Sequence, residues 1–163
     1  QNDSLLYRQL TGAWSPISSR FGETSNFAAR TISSLSSVGQ RYILVGGDTG
    51  TSAFAFWSPQ IVPPSWTPIN LAPSEPCQIS VIYGLYVASE DSAWAVGRAK
   101  CGSDPEPAVY KIDWSSKTLS RHAPLSDKDS RLHSKVLNYN GAWDDGKTLW
   151  LVGGHGLVQR RMH

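Results

Sequence analysis

Leu149-Trp-Leu-Val-Gly-Gly154 has two earlier counterparts in this chain, Tyr42-Ile-Leu-Val-Gly-Gly47 and Ala93-Trp-Ala-Val-Gly97. Their valines, Val45, Val96 and Val152, stand 51 and 56 residues apart. A second series keeps step. Trp14-Ser-Pro-Ile17, Trp66-Thr-Pro-Ile69 and His122-Ala-Pro-Leu125 place Pro16, Pro68 and Pro124 at separations of 52 and 56. Two markers with nearly the same unequal spacing define an internal repeat of about 50 residues.

Between the markers the chain reads as strands. Ile79-Ser-Val-Ile-Tyr-Gly-Leu-Tyr-Val87 is rich in β-branched and aromatic residues. Ser89-Glu-Asp-Ser92 turns the chain into the strand that carries Trp94, and 102–107 reads as a Gly/Pro/Asp loop. Ala108-Val-Tyr-Lys-Ile-Asp-Trp114 alternates in polarity, and Leu119 to Leu125 follows as a short outer strand. No stretch keeps a helical period. The expectation is an all-β chain with four antiparallel strands per repeat. The Val-Gly copies are the second strands and the Pro copies the fourth. The glycines are expected to permit a tight turn with positive φ and close backbone approach. Proline, which cannot donate to a ladder, suits an outermost strand.

Four-stranded units at this period resemble the blades of a β-propeller of the kelch or sialidase-repeat type. Residues 42–57, with their double glycine, aromatic strand and later Trp57, resemble a kelch repeat. Residues 148–161 and 93–97 resemble photosystem-assembly-factor repeats, in which a Trp-x-Val-Gly strand is followed by a Gly turn and a Leu-x-x-Arg strand. Asp144-Asp-Gly-Lys-Thr148 is similar to a sialidase Asp-box but precedes the second strand of its unit. The resemblance implies one partial propeller domain over 1–163, with blade portions near 1–18, 27–70, 78–125 and 133–163. Propellers host many unrelated functions, so the likeness speaks to fold.

Counted in this way, the chain opens with a third and a fourth strand and closes on a third, near 157–161. It carries about three blades, whereas closed propellers have four or more. Uncovered blade faces would cost more than a typical domain's whole stability. The expectation is an incomplete ring, closed by a second copy or by a complementary propeller segment through strand addition. Head-to-tail repetition without closure would give a fibre.

The 163 residues are 40% hydrophobic and 17% charged, with seven Trp and a net charge of +2. That charge is too small to argue for nucleic acid. No apolar run approaches the ~18 residues that span a membrane. Gln1 reads as a processed or trimmed terminus, and the Ser/Thr/Gly/Trp-rich, Lys-poor balance suits an exported protein. Asn2-Asp3-Ser4 fits the N-glycosylation acceptor pattern.

Cys77 and Cys101 flank a hairpin that turns near Glu90-Asp91. Residues whose numbers sum to about 181 then face each other, which sets Cys77 opposite a position near 104. A disulfide is expected within the looseness of the loop, and with it an oxidising compartment.

The four histidines make no His-x-x-x-His pair and the cysteines no Cys-x-x-Cys, so neither a metal nor a cofactor is expected. Glu23, Asp48, Glu75, Asp104 and Asp127 show no spacing that pairs two carboxylates for glycoside hydrolysis. Trp94 and Trp150, at matching repeat positions, are expected to pack between blades, and an exposed Trp elsewhere could stack on a sugar ring. Ligands of propellers meet the loops at one end, here near 19–25, 46–50, 72–76, 98–107, 126–132 and 153–156. Asp48, Arg98, Lys100 and His155 are the binding candidates. The leading expectation is an exported, non-catalytic module for assembly or for binding protein or glycan. The rival is a fragment of a propeller enzyme such as a glycoside hydrolase.

Overall fold

The computed structural model describes residues 6–8, 14–16, 31–38, 42–48, 53–60, 65–89, 92–102, 105–122, 138–154 and 158–162. Within them the chain is all-β and contains no α-helix. Strands β1 (Leu6–Arg8) and β2 (Trp14–Pro16) pair antiparallel as a small ribbon.

Three larger sheets follow in chain order. The first is β3 (Thr31–Val38), β4 (Tyr42–Asp48), β5 (Ala53–Ser58) and β6 (Thr67–Pro68), in that spatial order. The second contains β8 (Gln78–Val87), β9 (Ala93–Lys100), β10 (Pro105–Asp113) and β11 (Thr118–Arg121). A fifth strand, β7 (Asn70–Leu71), joins its far edge parallel to β11. The third sheet is β12 (Tyr139–Asp144), β13 (Thr148–Gly153) and β14 (Val158–Met162). All three are antiparallel meanders apart from β7. Local turns make this inevitable: Asp145 Oδ1 accepts from the Lys147 and Thr148 amides, and Gly146 sits at φ +84 between β12 and β13.

Several expectations shift in detail. Pro105 and Pro107 lie within β10 rather than in a loop. The second sheet has five strands and the third has three among the described residues, so the four-per-unit count holds only for the first. The first strand of the last unit, expected near Lys135 to Tyr139, is described as Tyr139–Asp144. Pro124 lies outside the described residues, and the fourth strand of its unit ends at Arg121.

The glycines have a different role from the one expected. Among the described residues Gly146 is the glycine with positive φ. The repeat glycines are extended and face a β-bulge in the neighbouring first strand. Ser33 is the extra residue between the pairs Ile32↔Gly47 and Ser34↔Gly46. Tyr83 is extra between Ile82↔Gly97 and Gly84↔Val96, and Asn140 between Tyr139↔Gly153 and Gly141↔Val152. A bulge crowds the opposite strand. A Cβ on Gly47 would lie 1.8 Å from the Thr31 carbonyl oxygen, and one on Gly97 2.0 Å from that of Val81.

This corrects the repeat alignment. Gly47, the second glycine of its pair, is the structural equivalent of Gly97 and Gly153; Val45 is therefore not the equivalent of Val96. A one-residue shift exchanges the two faces of every strand. With it, both junctions between large sheets obey the same rule. Gly46, Ala53, Ala55 and Trp57 of the first sheet face Ile82, Ala95, Tyr110 and Ile112 of the second. Trp94, Val96 and Val109 on the other side of the second sheet face Tyr139, Leu149 and Leu151 of the third.

The inner strands β3, β8 and β12 also meet at their bulges. A bulge leaves backbone groups outside the ladder. Ser34 Oγ accepts from the Leu85 amide at 2.9 Å, and Ser33 Oγ donates to the Ile82 carbonyl. One step along, Gly84 brings β8 so close to β12 that its Cβ would stand 2.6 Å from the Asn140 carbonyl oxygen.

Candidate functional site

Two bulges in β8 decide the geometry at one end of the second sheet. The β8–β9 register starts at Val87↔Ala93 and reaches Gln78↔Lys100, having slipped at Ser80 and again at Tyr83. The next pair outward is Cys77 opposite Cys101. The cysteines stand at disulfide distance, with sulfurs 2.07 Å and Cα atoms 4.4 Å apart. The two bulges, invisible in the hairpin count, shift the partner of Cys77 by two residues, which with the Val87↔Ala93 start of the ladder brings it to 101.

Arg121, at the end of β11, lies against this pair. Its neighbour in the ladder is Tyr110 of β10. The small residues Ala95, Gly97, Ala99 and Ala108 on the same face leave room for both long side chains. Arg121 Nη1 is 2.9 Å from Cys77 Sγ and 2.8 Å from Cys101 Sγ. Its Nη2 is ion-paired with Glu106 Oε1, and Glu75 Oε1 accepts from its backbone amide at 2.5 Å. Glu106 Oε1 also contacts Cys101 Sγ at 2.6 Å. The Tyr110 hydroxyl is buried beneath with no hydrogen-bond partner. Burial pushes its pKa up to about 12; Arg121 opposes the rise, and Glu75 and Glu106 add to it. Cys77, Cys101 and Glu106 have the donor atoms and proximity of a metal cluster, but sulfurs joined to each other are not thiolate ligands.

The expected binding residues do not converge on this cluster. Arg98 and Lys100 alternate with Ala99 and so lie on the opposite face of β9, where Arg98 is half-buried and Lys100 exposed. Arg98 Nε is buried without a hydrogen-bond partner. Asp48 ends β4 in the first sheet. His155 and Asn2 lie outside the described residues. Of this cluster only Glu75 is among the acids singled out in the sequence; Arg121, Glu106 and Tyr110 are not. Their signal was the cross-strand ladder, which needs the register before it can be read.

Two further features could receive a partner. A cavity of about 300 Å³ lies between the first and second sheets, lined by Phe54, Ala55, Asn70, Gln78, Ile82 and Leu119 among others. It is mostly apolar, with two amide side chains at its wall. The outward face of the third sheet is open. Trp143 pairs with Trp150 and Arg160 in one row, and Gly141, Val152 and Val158 form the next. Trp143 is 52% exposed, Val152 45% and Val158 62%. Trp94 packs between sheets as expected, whereas its counterpart Trp150 lies half-buried on this open face.

Compared with protein-family models and with curated proteins, the chain matches none.

Proposed function

We propose that this chain is an exported, non-catalytic module of the β-propeller type whose working surface is the outward face of the third sheet. One relationship carries the reading. By the corrected alignment Trp150, Val152 and Val158 occupy the positions of Trp94, Val96 and Val109, which the third sheet buries against Tyr139, Leu149 and Leu151. On the third sheet Val152 and Val158 of this pattern are exposed, and Trp150 is half-buried beside the exposed Trp143. A face so built suits a further sheet of the same repeat, supplied by a second copy of the chain or by a complementary propeller segment. The Cys77–Cys101 pair is compatible with an extracytoplasmic site of action, and no helix among the described residues is long and apolar enough to cross a membrane.

Sedimentation of the intact chain over a range of concentrations tests this reading. Reversible assembly is expected, and Val158→Asp or Trp143→Asp should abolish it without loss of fold, because both side chains are exposed. A chain that stays monomeric while Trp143 remains fully accessible to a soluble quencher overturns the self-association reading.

A further inference from the structure

We propose that the Cys77–Cys101 disulfide is a thiol-exchange site, opened by a low-molecular-weight thiol that becomes attached to Cys101 while Arg121 holds Cys77 as the leaving thiolate. The inference rests on the cluster around the sulfurs and is independent of how the sheets assemble.

A guanidinium gains little from two neutral sulfurs. It gains much more from a thiolate, through a charge-assisted hydrogen bond. Arg121 Nη1, within 2.9 Å of both sulfurs, therefore favours the opened form over the closed one. Stabilising the reduced state is what makes a disulfide easy to reduce. A plain structural staple has no need of a cation there.

The two sulfurs are not equivalent. Cys101 is exposed and Cys77 is 5% exposed, so an incoming thiol reaches Cys101. Glu106 beside Cys101 disfavours a second negative charge on that sulfur and can accept a proton from its thiol. Cys77 Sγ has Arg121 against it, and the Glu106 carboxylate, within 4.8 Å of Cys77 Sγ, is nearer Cys101 Sγ at 2.6 Å, so the negative charge is better placed on Cys77.

A thiolate attacks Cys101 Sγ and forms a new S–S bond to it. The Cys77–Cys101 bond breaks, and its electron pair stays on Cys77 Sγ as a thiolate against Arg121. A second thiol then attacks the mixed disulfide through its own sulfur, leaving two cysteines reduced and the small thiol oxidised to its disulfide.

Incubation of the intact chain with glutathione, followed by acid quench and intact-mass and peptide mapping, tests the proposal. One glutathionyl adduct is expected, on Cys101, with Cys77 free for alkylation. Cys77 alkylation should keep its rate to a pH below the ordinary thiol range. Arg121→Met should slow opening about tenfold and return the Cys77 profile to the ordinary range, with Arg121→Lys restoring much of both. Circular dichroism reports whether the variants keep their fold. If Arg121→Met does not fold, the wild-type adduct position and the Arg121→Lys profile decide. An adduct on Cys77, exchange no faster than in the urea-unfolded chain, or an ordinary Cys77 profile in the wild type each overturns the proposal.

Discussion

The indole N–H of Trp94 donates to Asp144 Oδ2 at 2.7 Å, across the junction between the second and third sheets. Ser92 Oγ donates to the same oxygen at 2.7 Å, and the Tyr86 hydroxyl to the Asp144 carbonyl at 2.8 Å. Asp144 Oδ1 meanwhile accepts from the Gly146 amide and shapes the β12–β13 turn. The residue that begins the Asp-box-like stretch is thus a clip between sheets.

Asp144→Ala strands the Trp94 donor in a buried site and removes a turn contact. It should destabilise the fold by roughly 2–3 kcal/mol in urea unfolding, and Asp144→Asn, which keeps an acceptor, by less. Equal losses for the two variants would mean that the hydrogen bonds contribute little.

The two glycines of Gly46-Gly47 should separate under substitution. Gly47→Ala drives a methyl into the Thr31 carbonyl, and Gly97→Ala does the same at Val81. Each should cost about 2–3 kcal/mol or more through strand displacement. Gly46→Ala meets side-chain carbons of Ile82 and Leu85 at 3.0 and 3.2 Å and should cost less. Thermal unfolding of the three variants checks the order, and with it the repeat alignment.

Ser34→Ala removes the acceptor of the Leu85 amide at the bulge of β8. The expected loss is about 1–2 kcal/mol. The sharper readout is hydrogen exchange: the Leu85 amide should lose protection while the neighbouring ladder amides of β9 keep theirs.

Tyr110 makes stability fall at alkaline pH. Its folded pKa, about 12, lies above the ordinary tyrosine value of 10.0, so the folded state holds the proton more tightly. The contribution is fully present below pH 10 and is lost as pH rises through about 12. Tyr110→Phe should flatten unfolding curves in that window. At neutral pH it should cost little, because the hydroxyl makes no hydrogen bond.

Much of the architecture could be read from the residues alone. The β-rich alternation, the turn signals and the repeat of about 50 residues point to meandering antiparallel sheets, since strand pairing between neighbours needs only local turns. The repeat copy Leu149–Gly154 falls on the strand Thr148–Gly153, with its first glycine at the strand's end. The Cys77–Cys101 pairing was legible to within the looseness of a hairpin count.

What tertiary structure alone decided follows from the bulges. Each inserts one residue, and a single residue reverses which face of a strand is inside. Composition does not mark where Ser33, Tyr83 and Asn140 bulge, so the equivalence of Gly47 with Gly97 and the meeting of Arg121, Glu106 and the two sulfurs stayed hidden. The residue types set the strands and their order. Register, and therefore every contact between sheets, was set by how β3, β8 and β12 pack against one another.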